Sequence, residues 1–221
     1  GLLIKEPCWL NWQVNDMVKV KLCGLKRLCD IEWTNEVMPD YAGFVFAGQK
    51  RRVTDELAAS LRHHLRPEIQ AVGVFQNEDI HHIADLVRKG TIQLVQLHGC
   101  EDEDYIRELR NIISVPVIQA LSLDREDQLE AVRCSSADYI LLDHGTGGTG
   151  QVFDWSLLSR VHRPFFLAGG LRPENVEQAL AYHPFAVDVS SGIETDGVKD
   201  YEKIKQFMAH VHSVMQQEER I

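Results

Sequence analysis

The stretch DYILLDHGTGGTGQVFDW, residues 138–155, decides the fold. Residues 138–143 form a short apolar run rich in Ile and Leu, as a strand buried on both faces should be. The run ends in a carboxylate, Asp143, and passes into a turn carrying Gly145, Gly147, Gly148 and Gly150. Asp154 and Trp155 then open a helical pattern. Strand, polar strand end, loop, helix is one unit of an α/β protein, and chemistry concentrates at such junctions. Two later segments repeat it: FFLAGGLRPENV (165–176), with Gly169 and Gly170, and VDVSSGIETDGVKD (187–200), with Ser190, Ser191 and Gly192.

Reading outward, the same alternation runs through the chain from Val18. The apolar runs are VKVKLCG (18–24), AGFVFA (42–47), AVGVFQ (71–76), IQLVQLHG (92–99), VPVIQAL (115–121), DYILLD (138–143), FFLAGG (165–170) and FAVDVSS (185–191). Helical patterns fill the intervals: 25–38, 54–65, 78–90, 101–112, 125–134, 154–160, 172–182 and 199–220. Several open with Asp, Glu or Thr, which cap free N–H groups or suit the positive end of a helix dipole. Strands that alternate with helices require a parallel sheet. Eight units in about 200 residues, roughly 25 each, predict an α/β fold closed into a single-domain (β/α)8 TIM barrel. The rival is an open doubly wound sheet, but no GxGxxG follows the first strand.

The chain has 221 residues, 44% apolar and 25% charged, enough for one sizeable core. Its 23 basic and 33 acidic residues leave a net charge of −10. That balance argues against a general affinity for nucleic acid or an anionic membrane. A local phosphate site remains open, since backbone N–H groups can supply the positive field. Five cysteines without a CxxC pair or a secretory signal predict a reduced, cytoplasmic protein. No apolar run approaches the roughly 18 residues of a membrane span. Residues 1–16 show no steady period and are expected to be an N-terminal extension, with Met17 near the start of the barrel domain (17–221); a segment docked over one end of the fold is the alternative.

Candidate chemistry lies at the strand ends. Lys21 and Cys23 are two apart on the first strand and share a face. A nearby ammonium favours thiolate, so Cys23 is a candidate base or nucleophile; the alternative is a buried apolar cysteine. Asp143 is a candidate general acid or a loop cap. The AGG and SSG junctions follow the seventh and eighth strands, where barrels build phosphate sites from backbone N–H groups and a short helix. Gly169, Gly170, Ser190, Ser191 and Gly192 are therefore candidate phosphate ligands, with glycine allowing close approach of phosphate oxygens. One of Lys50, Arg51 and Arg52 is able to pair a substrate carboxylate, though a solvated loop is the alternative. His98 and Asp188, on the fourth and eighth runs, are candidate substrate-binding residues. No HExxH or Cys/His ligand spacing appears, so no metal site is expected.

The ordered set KLCGL, GFVF with its basic residues, VGVFQN, VQLHG, LLDHGTGGTGQVFDW, LAGGLRPENV and VDVSSGIETDGVKD resembles the phosphoribosylanthranilate isomerase family of tryptophan biosynthesis. The resemblance covers Val18 to the last helix. It implies an Amadori rearrangement of a phosphorylated aldose derivative, with Cys23 as general base, Asp143 as general acid and no cofactor. It also implies that Arg51, or Arg52 as the alternative, holds the anthranilate carboxylate. The glycines from Gly147 to Gly150 would form a closing loop. The partner implied is a small phosphorylated molecule; monomer and homodimer both stay open, as does acceptance of a second isomerase substrate. Rival readings are a ribulose-phosphate epimerase, an indole-glycerol-phosphate synthase and a non-catalytic barrel. The metal ligands of the first and the lysines and glutamate of the second are not evident, and the presence of Cys23 and Asp143 disfavours the third.

Overall fold

Eight short runs of β-branched and aromatic residues form eight parallel strands in a computed structural model, which describes residues 17–143 and 155–218. They are β1 (Lys19–Cys23), β2 (Tyr41–Val45), β3 (Gln70–Phe75), β4 (Leu94–Leu97), β5 (Val117–Ser122), β6 (Tyr139–Asp143), β7 (Phe165–Leu167) and β8 (Ala186–Val189). Each pairs with its sequence neighbours, and β1 pairs with β8, so the barrel is closed. The predicted strands all form, with ends that differ from the predicted runs by up to a few residues.

Period-two alternation sorts every strand into two faces. Val20, Leu22, Ala42, Phe44, Ile140, Leu142, Val187 and Val189 pack outward against the helices. Tyr41, Val72, Leu94, Ile118, Leu141, Phe166 and Ala186 fill the barrel interior. Lys21 shares that inward face and is fully buried. Removing its charge from water is offset by Asp188, its register partner on β8, whose Oδ2 accepts from Nζ at 2.8 Å.

The helices are α1 (Leu28–Val37), α2 (Asp55–His64), α3 (Ile80–Arg88), α4 (Glu103–Ile112), α5 (Leu129–Cys134), α6 (Val176–Leu180) and α7 (Tyr201–Glu218). Thr54, Asp79 and Asp102 cap α2, α3 and α4 by accepting backbone N–H bonds. The sixth and seventh units depart from the expectation. Residues 155–160 form a 3-10 helix, and α6 spans only five residues before His183 turns left-handed ahead of Pro184. After β7, residues 168–175 form the loop that carries Gly169 and Gly170, both at positive φ, so the helix starts only at Val176. The long α7 buries Ile204, Phe207, Met208 and Val211 and packs on α1 and α6. No helix among the described residues is long and apolar enough to cross a membrane.

One element escapes the strand–helix pattern. β9 (Glu194–Thr195) and β10 (Val198–Lys199) form an antiparallel hairpin after a short 3-10 turn at Ser191–Ile193. Asp196 and Gly197 both have positive φ, the conformation a two-residue hairpin turn requires. The expected N-terminal extension, the glycine loop and the helix start at Asp154 lie outside the described residues.

Candidate active site

The carboxyl ends of the strands converge on a cavity of about 420 Å³. Cys23 and Asp143 both line it, as do Arg51, His98, Asp188, Gly169, Gly170, Ser190 and Ser191. Each comes from the end of a strand or the loop after it, so the barrel gathers residues that are far apart in sequence. Gly192 is the exception among the sequence candidates. A Cβ there would stand 1.8 Å from the Leu171 carbonyl oxygen, so this glycine serves close packing of the β7 and β8 loops.

Two further glycines shape the mouth. A Cβ on Gly43 of β2 would meet the Cys23 sulfur at 2.7 Å, so its absence makes room for the thiol. Gly24, at φ 81°, lets the Arg51 side chain cross it; a Cβ would lie 2.4 Å from Arg51 Cδ. Arg51 thereby rests beside Cys23. Arg52 instead lines a separate depression with Thr54, Asp55 and His82.

Electrostatics at Cys23 correct the sequence expectation. Burial pushes the thiol up, Lys21 pulls it down, Asp188 pushes up and Lys199 pulls down; the balance is upward. Lys21 therefore acts in the expected direction but is outweighed by desolvation. Its own ammonium is held charged against burial by Asp188 and Cys23. Asp188 Oδ1 is buried and has no hydrogen-bond partner among the described residues, which leaves an acceptor on the cavity wall.

Asp143 lies 3.5 Å from His98 Nε2. Gln96 Nε2 is 3.2 Å from His98 Nδ1. An amide N–H donated to Nδ1 leaves the ring proton of a neutral imidazole on Nε2, towards Asp143.

Residues that the sequence reading did not single out surround Arg51. Its Nε and Nη2 donate to the two carboxylate oxygens of Glu194, at 2.6 and 2.9 Å. Lys199 Nζ donates to Glu194 at 2.9 Å and to the Ser190 carbonyl at 2.9 Å. Burial alone would raise Glu194, but bonds from Arg51 and Lys199 outweigh it and hold the carboxyl at about 2. The signal was present in sequence as Asp196-Gly197, a hairpin turn that places Glu194 and Lys199 opposite each other.

Fold and site together define an enzyme of the (β/α)8-barrel class, with a thiol and a carboxylate on one cavity. A family model described as N-(5'phosphoribosyl)anthranilate (PRA) isomerase matches residues 20–210. The chain belongs to that family. A relative from Lachnoclostridium phytofermentans named N-(5'-phosphoribosyl)anthranilate isomerase is 44% identical over 209 residues, 86% of this chain and 96% of its own. The crystal structure of phosphoribosyl anthranilate isomerase from Thermotoga maritima is 38% identical with a TM-score of 0.81, covering 89% of this chain and 100% of that one. Another solved structure holds the isomerase in complex with reduced 1-(o-carboxyphenylamino)-1-deoxyribulose 5-phosphate. It is 37% identical, with a TM-score of 0.79 and the same coverage.

Proposed function

We propose that this protein isomerises N-(5-phosphoribosyl)anthranilate to 1-(2-carboxyphenylamino)-1-deoxyribulose 5-phosphate, an Amadori rearrangement in tryptophan biosynthesis. The carrying observation is that Cys23 and Asp143, 120 residues apart, line one cavity at the barrel mouth. Family membership supplies the substrate. The related structure that binds the reduced product analogue supports the same ligand class.

Asp143, as general acid, gives its proton to the furanose ring oxygen as the nitrogen lone pair opens the C1–O bond. The product of that step is a protonated imine. Cys23, as thiolate, takes the proton from C2, and the electron pair of that C–H bond forms C1=C2 while the imine pair returns to nitrogen. The resulting enolamine tautomerises: C2–OH loses its proton and C1 gains one, giving the ketone. The cationic imine acidifies C2, so a thiolate is a sufficient base and no metal or organic cofactor is needed.

The productive form carries the proton on Asp143 and the charge on Cys23. Burial of the thiol opposes that form, and the ammonium groups of Lys21 and Lys199 favour it. His98 Nε2–H stabilises the Asp143 carboxylate after it has given up its proton. The partnerless Oδ1 of Asp188 accepts from a sugar hydroxyl. Arg51 pairs the anthranilate carboxylate, favoured over Arg52 by its place on the cavity wall. The phosphate lies against Gly169, Gly170, Ser190 and Ser191, with Gly192 backing the loop. Binding this remote group orients the sugar. All of these residues come from one chain. A reduced cytoplasmic setting keeps the thiol available.

The test is an assay with freshly formed phosphoribosylanthranilate, following loss of its fluorescence. The wild-type protein consumes it; Cys23→Ala and Asp143→Ala each lower kcat by more than about a hundredfold, the scale of an acid–base role. Near wild-type turnover in either variant removes that residue's role. A folded wild type without activity removes the reading altogether.

A further inference from the structure

Arg51 meets the cavity with its guanidinium already half engaged. Of its five N–H bonds, Nε–H and one Nη2–H go to Glu194 in a side-on, two-point pair. Three N–H bonds remain for a second carboxylate, and Arg51 is part of the cavity wall. Glu194 is itself buried, with three cations around it: Arg51, Lys199 and, at 3.7 Å, Lys50. Three positive charges against one leave the corner net positive, suited to an anionic group. With its carboxyl held at about 2, Glu194 is ionised throughout the neutral range.

The hairpin that carries Glu194 is anchored on both sides. Lys203 Nζ donates to the Glu194 carbonyl at 2.7 Å, and Arg27 donates to the Lys199 carbonyl at 2.7 Å. Lys199 also reaches the Ser190 carbonyl, and the Ser190 hydroxyl donates to the Cys23 carbonyl at 3.0 Å. One chain of bonds thus runs from the cation at the mouth to the backbone of the candidate base. Arg51 has many rotamers when unpaired; lying across Gly24, it is held by two bonds to Glu194.

We infer that Glu194 is a positioning residue for substrate recognition: it fixes Arg51 by one edge so that the opposite end of the fork is preset for the substrate's aromatic carboxylate. Glu194 does not touch the substrate. The inference rests on the isomerase reading given under Proposed function.

The test is a double-mutant cycle on Arg51 and Glu194, read as KM and kcat for phosphoribosylanthranilate. Glu194→Gln raises KM roughly tenfold or more, the scale of about one charge-assisted hydrogen bond. kcat stays within about threefold, because uniform binding is lost and the acid–base pair is untouched. Arg51→Gln raises KM at least as much, and adding Glu194→Gln to it raises KM no further. Glu194→Asp retains the charge one methylene short and falls between wild type and Glu194→Gln, a readout that a merely structural role would not order in this way. Far-UV circular dichroism and thermal melting accompany each variant; if Glu194→Gln is unfolded, the cycle is run with Glu194→Asp. Additive KM effects overturn the inference, since Glu194 would then act independently of Arg51. So does an unchanged KM, or a fall in kcat alone. A wild type that leaves phosphoribosylanthranilate unchanged overturns the isomerase reading instead, and is told apart because every variant is compared with an active parent.

Discussion

Cys23 stands where burial and charge pull in opposite directions. Desolvation favours the thiol, and the ammonium of Lys21, two residues earlier on the same face of β1, favours the thiolate. Lys21 is itself kept charged by Asp188 across the β1–β8 seam. Replacing Lys21 with Met removes the favourable field and leaves Asp188 facing the thiol. The pH profile of iodoacetamide reactivity at Cys23 therefore moves upward in Lys21→Met; an unchanged profile refutes the coupling. Global stability falls as well, by about 3–5 kcal/mol on urea denaturation, because one partner of a buried pair is removed. The spacing KxC was legible in sequence because strand periodicity is local. Its outcome was not, since the thiol's balance depends on β8 and on burial.

At the scale of the element, the β9–β10 hairpin is the piece that strand–helix counting passes over. Two-residue strands carry too few side chains for a periodic signal, and only Asp196-Gly197 marks the turn. Yet this hairpin supplies Glu194 and Lys199, which hold Arg51 and Ser190. Its pH dependence follows from the depressed Glu194 carboxyl. A group lowered in the folded state stabilises the protein above its unfolded pKa, about 4.3 for Glu, and that stability is lost as pH falls towards 2. The gap in Tm between wild type and Glu194→Gln is therefore full at neutral pH and closes between about pH 4.5 and 2. A gap that stays constant across that range contradicts the pairing. The α-helical connections predicted after β6 and β7 also shortened, one to a 3-10 helix over 155–160 and one to the five residues of α6, which starts only after the loop of Gly169 and Gly170.

For the whole molecule, closure is the property that matters. β1 and β8 lie at opposite ends of the chain and pair in register from Lys19–Ala186 to Leu22–Val189. The interior that closure creates is filled by rings. Phe166 lies 5.4, 5.7 and 5.5 Å from the centroids of Tyr41, Tyr139 and Phe185 and is wholly buried. Phe166→Ala leaves a cavity that the surrounding strands cannot collapse into, and costs about 3–5 kcal/mol. Urea denaturation measures it; a loss under about 1 kcal/mol means the interior is not packed as described.

Sequence by itself determined the eight-fold alternation, and with it the barrel, because apolar period and turn chemistry are local properties that a single strand–helix unit already displays. It also determined where polar residues leave the strands, at Cys23, His98, Asp143, Asp188 and the Gly169–Gly170 and Ser190–Ser191 turns. Tertiary structure alone decided which of these share a cavity, that Arg51 and not Arg52 joins them, and that Gly192 packs on the Leu171 carbonyl. It alone decided the charge balance at Cys23 and the grip of Glu194 on Arg51, which joins residues 143 positions apart. The physical reason is range. Periodicity is set by neighbours along the chain, whereas desolvation and ion pairing are set by neighbours in space, and those exist only once β1 has met β8.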